Sequence, residues 1–209
     1  MVSPAGRGPT CDDKGQLSEK LRSSSYTSFS LENGIKVYIY SADITQLPMD
    51  VIVNAANSKL QHIGGVAAAI ARKAGPFLVK ESEDLIKKYG MVHMSENVVT
   101  TGGSLCSSII HAVGPQWKEH PPDQCRYFLE LTLKRIFQTF LQLNERSIAI
   151  PTISTGIYGV PLSMAVAAFH DTLQWLGKQE CDRHLEVHLV DKDIRAVNAL
   201  EALASPYNS

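Results

Sequence analysis

Residues 50 to 66 read DVIVNAANSKLQHIGGV and carry the pattern of an α/β unit. Its opening run, Val51-Ile52-Val53, is continuously β-branched, the pattern of a strand covered on both faces. The strand passes straight into Asn54-Ala55-Ala56-Asn57, where two amides bracket two small residues that let backbone come close to a ligand. The pair Gly64-Gly65 then opens an alanine-rich segment, Val66 to Ala74, predicted as a helix that stops at Gly75. Buried strand, polar loop and helix in that order are the repeating unit of an α/β domain with a parallel sheet.

The same alternation extends in both directions. Before residue 50, Phe29 and Leu31, the turn Glu32-Asn33-Gly34 and the alternating Ile35, Val37 and Ile39 predict two antiparallel strands joined by an Asn-Gly hairpin. Beyond Gly75, Pro76 opens a second helix towards Tyr89 that ends at Gly90. Two short strands are predicted at Asn97 to Thr101 and Ser108 to Ala112, around the turn Gly102-Gly103-Ser104. After Pro121-Pro122, the spacing of Leu129, Leu133, Ile136, Phe137, Phe140 and Leu141 predicts a long amphipathic helix. A strand at Ser147 to Ile150, a helix from Pro161 to about Leu176, a strand at Leu185 to Val190 and a helix from about Ile194 to Leu203 complete the domain. The expected fold is a three-layer α/β/α sandwich with a central mixed, mostly parallel sheet, and its crevice at the carboxyl ends of the strands.

The chain has 209 residues, enough for one such domain with a full core, whereas two would each be cramped. Residues 1 to 25 are rich in Gly, Pro, Ser and charge and read as a flexible N-terminal arm; residues 26 to 204 form the domain, and 205 to 209 a C-terminal tail. The net charge of -1 carries no electrostatic footprint for nucleic acid or an anionic membrane, so a bound phosphate must be held by oriented backbone groups. Cys11, Cys106, Cys125 and Cys181 show no CxxC pair, which points to reduced thiols and gives no metal site. No run approaches the roughly 18 apolar residues of a membrane span, and no signal peptide is evident. An intracellular protein, nuclear or cytoplasmic, is expected, monomeric as an isolated domain and without a cofactor.

Four loops at strand ends carry the chemistry. Asp43, with Ile44 after it, offers a carboxylate for an exocyclic amine, although a lone Asp here is more often the N-cap of the turn beginning at Ile44. Asn54 and Asn57 offer amide donors and acceptors, or simply build the turn. In His62-Ile63-Gly64-Gly65-Val66, a glycine pair sits where the free N–H groups of a helix start favour an anion. In PTISTGIYG, residues 151 to 159, a strand end becomes a glycine-bearing loop whose successive N–H groups form a second anion-binding concavity. Neither loop matches GxGxxG or GxxxxGK[ST], which disfavours a Rossmann dinucleotide site and a P-loop. Two anion-ready loops with amides between them suit a diphosphate flanked by sugars.

Together, DVIVNAANSKLQHIGGV, HAVGP at 111 to 115 and PTISTGIYG closely resemble the macrodomain family over about residues 26 to 204. In wording and spacing they are most similar to macrodomains of multi-macrodomain ADP-ribosyltransferases, the B-aggressive lymphoma type, and to coronaviral macrodomains. The resemblance implies a module that binds ADP-ribose, free or attached to proteins, with ADP-ribosylated proteins as partners. By position it gives Asp43 and Ile44 to adenine, Asn54 and Asn57 to the distal ribose, and Gly64, Gly65 and Val66 to that ribose and the diphosphate. Ser154, Thr155, Gly156, Ile157 and Tyr158 would wrap the diphosphate, Val66 and Ile157 would bridge it, and Val190 would wall the adenine.

The chain departs from the family pattern at three places. Ile63 stands where many members have a third glycine, Ala67 where mitochondrial-type hydrolases have an acid, and no aromatic stands near Val190. A hydrolase acting on ADP-ribosylated acidic side chains, with a water oriented by Asn57 and His62 as proton relay, is the alternative activity. A scaffold whose cleft has lost its ligand is the third.

Overall fold

The computed structural model describes residues 25–207. The expected N-terminal arm thus lies outside the described residues except for Ser25. A seven-stranded sheet is formed by β1 (Thr27–Ser30), β2 (Lys36–Ser41), β3 (Val51–Ala55), β4 (Asn97–Thr101), β5 (Ser108–Ala112), β6 (Ser147–Ile150) and β7 (Glu186–Asp191). Their spatial order is β1-β2-β7-β6-β3-β5-β4. From β2 through β5 neighbouring strands are parallel, while β1 and β4 close the two edges antiparallel. The expected mixed, mostly parallel sheet is therefore present.

Among the described residues five α-helices cover it: α1 (Gly65–Ala74), α2 (Pro76–Tyr89), α3 (Pro122–Gln142), α4 (Leu162–Gly177) and α5 (Ile194–Leu200). Strand alternation assigns the layers. Val51 and Val53, Ile110, and Ile148 and Ile150 join Leu129, Leu133 and Phe137 of α3 and Phe169 of α4 in one core. The intervening Ile52, Ile109 and Ala149 pack with Ile70 and Ala74 of α1 and Leu78 of α2 in another. Each of Val51, Ile52 and Val53 is fully buried, as a strand sandwiched between two helical layers requires.

Glycine sets the break between α1 and α2. Gly75 has φ 97°, a conformation other residues rarely adopt; it caps α1 through its N–H to Ala71 O, and Pro76 then starts α2. The hairpin turn also holds a distant helix end, because Asn33 Nδ2 donates to Leu176 O at 2.9 Å and Gln179 O at 3.0 Å beyond the last turn of α4. The last helix is shorter than the sequence predicts: regular α geometry ends at Leu200, and Glu201–Tyr207 continues as a 3-10 helix containing Pro206, which has no N–H for an α-type bond. Tyr207 stacks on Phe29 with centroids 4.6 Å apart, so packing continues through the last described residue. Among the described residues no helix is long and apolar enough to cross a membrane.

A candidate ligand cleft at the strand ends

The parallel strands β2, β3, β5, β6 and β7 release their following loops at one end of the sheet, where such folds keep their ligand crevice. A cleft of about 1000 Å³ opens there. Asp43, Ile44, Asn57, Gly64, Gly65, Val66, Ser154, Thr155, Gly156, Ile157, Tyr158 and Val190 all line it, so the sequence-selected residues converge from four strand ends.

At one end, Asp43 caps the short 3-10 helix Ile44–Gln46: Oδ1 accepts from Thr45 N at 3.0 Å and Thr45 Oγ1 at 2.8 Å. Its other oxygen, Oδ2, lies 3.0 Å from Lys192 Nζ. Burial pushes the Asp43 carboxyl up, but the Thr45 hydrogen bonds and Lys192 outweigh that and hold it below the usual carboxylate value. Asp43 is therefore both a cap and a charged cleft residue. Buried Ile44 and Val190 provide apolar wall beside it.

Two backbone segments face the middle of the cleft. Gly64 is the N-cap of α1, whose first-turn N–H groups have no intrahelical partner. Opposite, the loop after β6 leaves the N–H groups of Gly156, Ile157 and Tyr158 without a hydrogen bond to any described residue. This loop is braced from below: Thr155 Oγ1 donates to Thr152 O at 2.9 Å, Thr152 Oγ1 donates to Asp191 Oδ2, and Val160 N donates to Ser154 O at 2.9 Å. Ser154 has φ 65° and is buried, and Gly114 permits it, since a Cβ there would lie 2.2 Å from Ser154 Oγ. That gives HAVGP its structural role: its glycine is the floor under the loop. Ile157 reaches across until its Cδ1 would touch a Cβ on Gly64 at 3.9 Å. The two walls thus nearly meet at the Gly64 backbone and the Ile157 side chain, while Val66 lines the cleft below.

At the far end Asn57 holds its own loop. Oδ1 accepts from Lys59 N at 3.1 Å and Gln61 N at 3.0 Å, and Nδ2 donates to Gln61 O at 2.9 Å. An amide oxygen has two lone pairs, so one N–H remains for a ligand and no acceptor does. Ile63 is 78% exposed on the rim and leaves the cleft unfilled.

Asn54 and His62 are not brought to the cleft. Alternation along β3 places Asn54 on the face of Ile52, beneath α1 and α2, where it is fully buried and its Nδ2 meets His111 Nδ1 at 2.9 Å. His62 turns towards α2, with Nε2 3.1 Å from Ser82 Oγ and its ring 5.5 Å from that of His111. Burial lowers the His62 pKa. Both side chains therefore support the loop from behind instead of facing a ligand.

Sequence reasoning missed the loop after β7. Asp191, Lys192, Asp193 and Arg195 line the Asp43 end, and the rule that ligands collect at carboxyl strand ends was the signal available. Asp191 Oδ1 accepts from Asp193 N at 2.9 Å, and Asp193 pairs with Arg195 at 2.7 Å. Among the described residues no cluster of His, Cys, Asp or Glu has the arrangement of a metal site.

Residues 53–169 match the family model of the Macro domain. Human protein mono-ADP-ribosyltransferase PARP14 is 35% identical over 178 residues, covering 81% of this chain but only 10% of that protein. Among solved structures, the Oceanobacillus iheyensis macrodomain with ADP superposes with a TM-score of 0.80 at 29% identity, covering 87% of this chain and 96% of that one. The Trypanosoma brucei macrodomain in complex with ADP-ribose gives a TM-score of 0.68 at 29% identity, covering 79% and 68%. Sheet order, the cleft at the strand ends and the family match agree: the chain belongs to the Macro domain family.

Proposed function

We propose that the cleft binds ADP-ribose and that the domain reads mono-ADP-ribose, free or carried on a protein. The observation that carries this reading is the order of groups along one cleft. A carboxylate beside apolar wall suits an adenine; two facing sets of backbone N–H groups suit a diphosphate; an amide donor at Asn57 suits the second ribose. The solved relatives with ADP and with ADP-ribose support the same ligand class. An intracellular setting, nuclear or cytoplasmic, fits that ligand.

Removal of the modification is the weaker reading. A protein base near the second ribose would need an acceptor there, yet Asn57 Oδ1 is already used twice, position 67 is alanine, and His62 faces Ser82. The open cleft, with Ile63 on its rim, also speaks against a scaffold that has lost its ligand.

Calorimetric titration with ADP-ribose tests the reading, with saturable binding expected; no binding at millimolar ligand would overturn it. Incubation with a mono-ADP-ribosylated protein tests reader against hydrolase. The modification should remain on the protein, and release that disappears in Asn57→Ala would establish the hydrolase.

A further inference from the structure

We propose that Lys192 is a second base-recognition residue, which with Asp43 forms a donor–acceptor pair that reads the edge of the purine. The inference rests on the ADP-ribose reading and adds a residue and a base specificity to it. The pairing is fixed by sheet register. Ser41 and Asp191 are opposed at the ends of parallel strands β2 and β7, and Ala42 N donates to Asp191 O at 3.1 Å, so the following loops run side by side. Lys192 Nζ consequently reaches Asp43 Oδ2 at 3.0 Å, and both residues line the cleft next to Ile44 and Val190.

The neighbouring charges are already engaged. Asp191 accepts from Thr152 Oγ1 and Asp193 N, and Asp193 holds Arg195 at 2.7 Å. Asp43 Oδ1 is taken by Thr45 N and Oγ1, which leaves Oδ2 as the acceptor available to a ligand. One ammonium hydrogen of Lys192 serves Oδ2, and two remain. The cleft therefore presents an acceptor and a donor side by side.

Adenine presents the complement: an amino donor flanked by ring nitrogens that accept. A 6-oxo purine puts an acceptor where the amino group was and a donor on N1, so in the pose that sets Lys192 against N1 both contacts oppose it. Lys192 has a further effect, since it leaves the Asp43 carboxylate paired when the base covers it and water is expelled. If the pair instead only closed the seat against the base, removing Lys192 would tighten binding.

Calorimetric titration of the wild type and Lys192→Met with ADP-ribose and with inosine diphosphate ribose separates these cases. Lys192→Met should keep its melting temperature, bind ADP-ribose about three- to tenfold more weakly, as for one part-exposed hydrogen bond, and show a smaller preference over the inosine ligand. Unchanged or tighter ADP-ribose binding, or an equal loss on both ligands, overturns the role of Lys192 while the ADP-ribose reading stands. Failure of the wild type to bind either ligand overturns that reading and this assignment with it.

Discussion

Asn54 and His111 stand opposite one another on parallel strands β3 and β5, and Asn54 Nδ2 lies 2.9 Å from His111 Nδ1. The other ring nitrogen, Nε2, meets Thr100 Oγ1 at 2.8 Å. With Asn54 donating to Nδ1, the proton of the neutral ring sits on Nε2 and goes to Thr100. Burial, with His62 nearby, lowers the His111 pKa from 6.5 to about 3. A folded-state value below the unfolded one means that protonation favours the unfolded chain. His111 should therefore contribute fully above about pH 6.5 and lose that contribution as pH falls towards 3, by at most about 1.4 kcal/mol per pH unit. Thermal melts between neutral and acidic pH should show a shallower pH slope for His111→Gln than for wild type; equal slopes would contradict the argument.

Gly64 has extended backbone, φ -162° and ψ 173°, which a β-branched residue adopts readily. A Cβ there would already touch Ile157 Cδ1 at 3.9 Å, and the methyls of a valine reach farther into the gap between the walls. Gly64→Val should melt within a few degrees of wild type yet bind ADP-ribose at least about tenfold more weakly. Calorimetry beside a melting curve checks both halves.

Gly114→Ala should act on the same cleft from below. Its Cβ would lie 2.2 Å from Ser154 Oγ and 2.9 Å from Ile153 Cγ2, so the β6 loop must shift. Overpacking of this kind costs about 1–3 kcal/mol, and ADP-ribose affinity should fall along with stability. Denaturant unfolding and a ligand titration of the same variant would show whether the two losses occur together.

Asp50 offers a control at the opposite end of β3. Its Oδ2 accepts from Ser147 N at 2.9 Å, Ser147 Oγ at 2.7 Å and Arg146 N at 3.2 Å, tying β3 to β6 where both strands begin. Asp50→Ala strands the two buried Ser147 donors and should cost about 2–4 kcal/mol. Ligand affinity should be unaffected below the melting transition, because the cleft lies at the other end of the strand; a selective loss of binding would argue against this separation.

Much of this was legible in the sequence because local rules and the fold agree. The β-branched run at Val51 to Val53 suits a strand covered twice, and Gly75-Pro76 reads as the end of one helix and the start of another, and both elements are present. What a loop residue faces was less legible. Asn54 looks like a cleft amide until strand alternation puts it with Ile52, and the imidazole that engages it lies 57 residues away on another strand. His62 borders the glycine pair in sequence but packs against Ser82, a contact created by the way α2 folds back. Lys192 is the clearest case: only the β2–β7 register, between strands some 150 residues apart, brings it to Asp43.

The stacking of Phe29 on Tyr207, reinforced by the hydrogen bond from Thr27 Oγ1 to Glu201 Oε1 at 3.1 Å, clasps the first strand to the final turn. The first and last described segments thus lie together at one edge of the sheet. Such a fold can be spliced into a longer polypeptide as a side loop, with its two connections leaving together, and circular permutation across that clasp would preserve every strand pairing that builds the cleft.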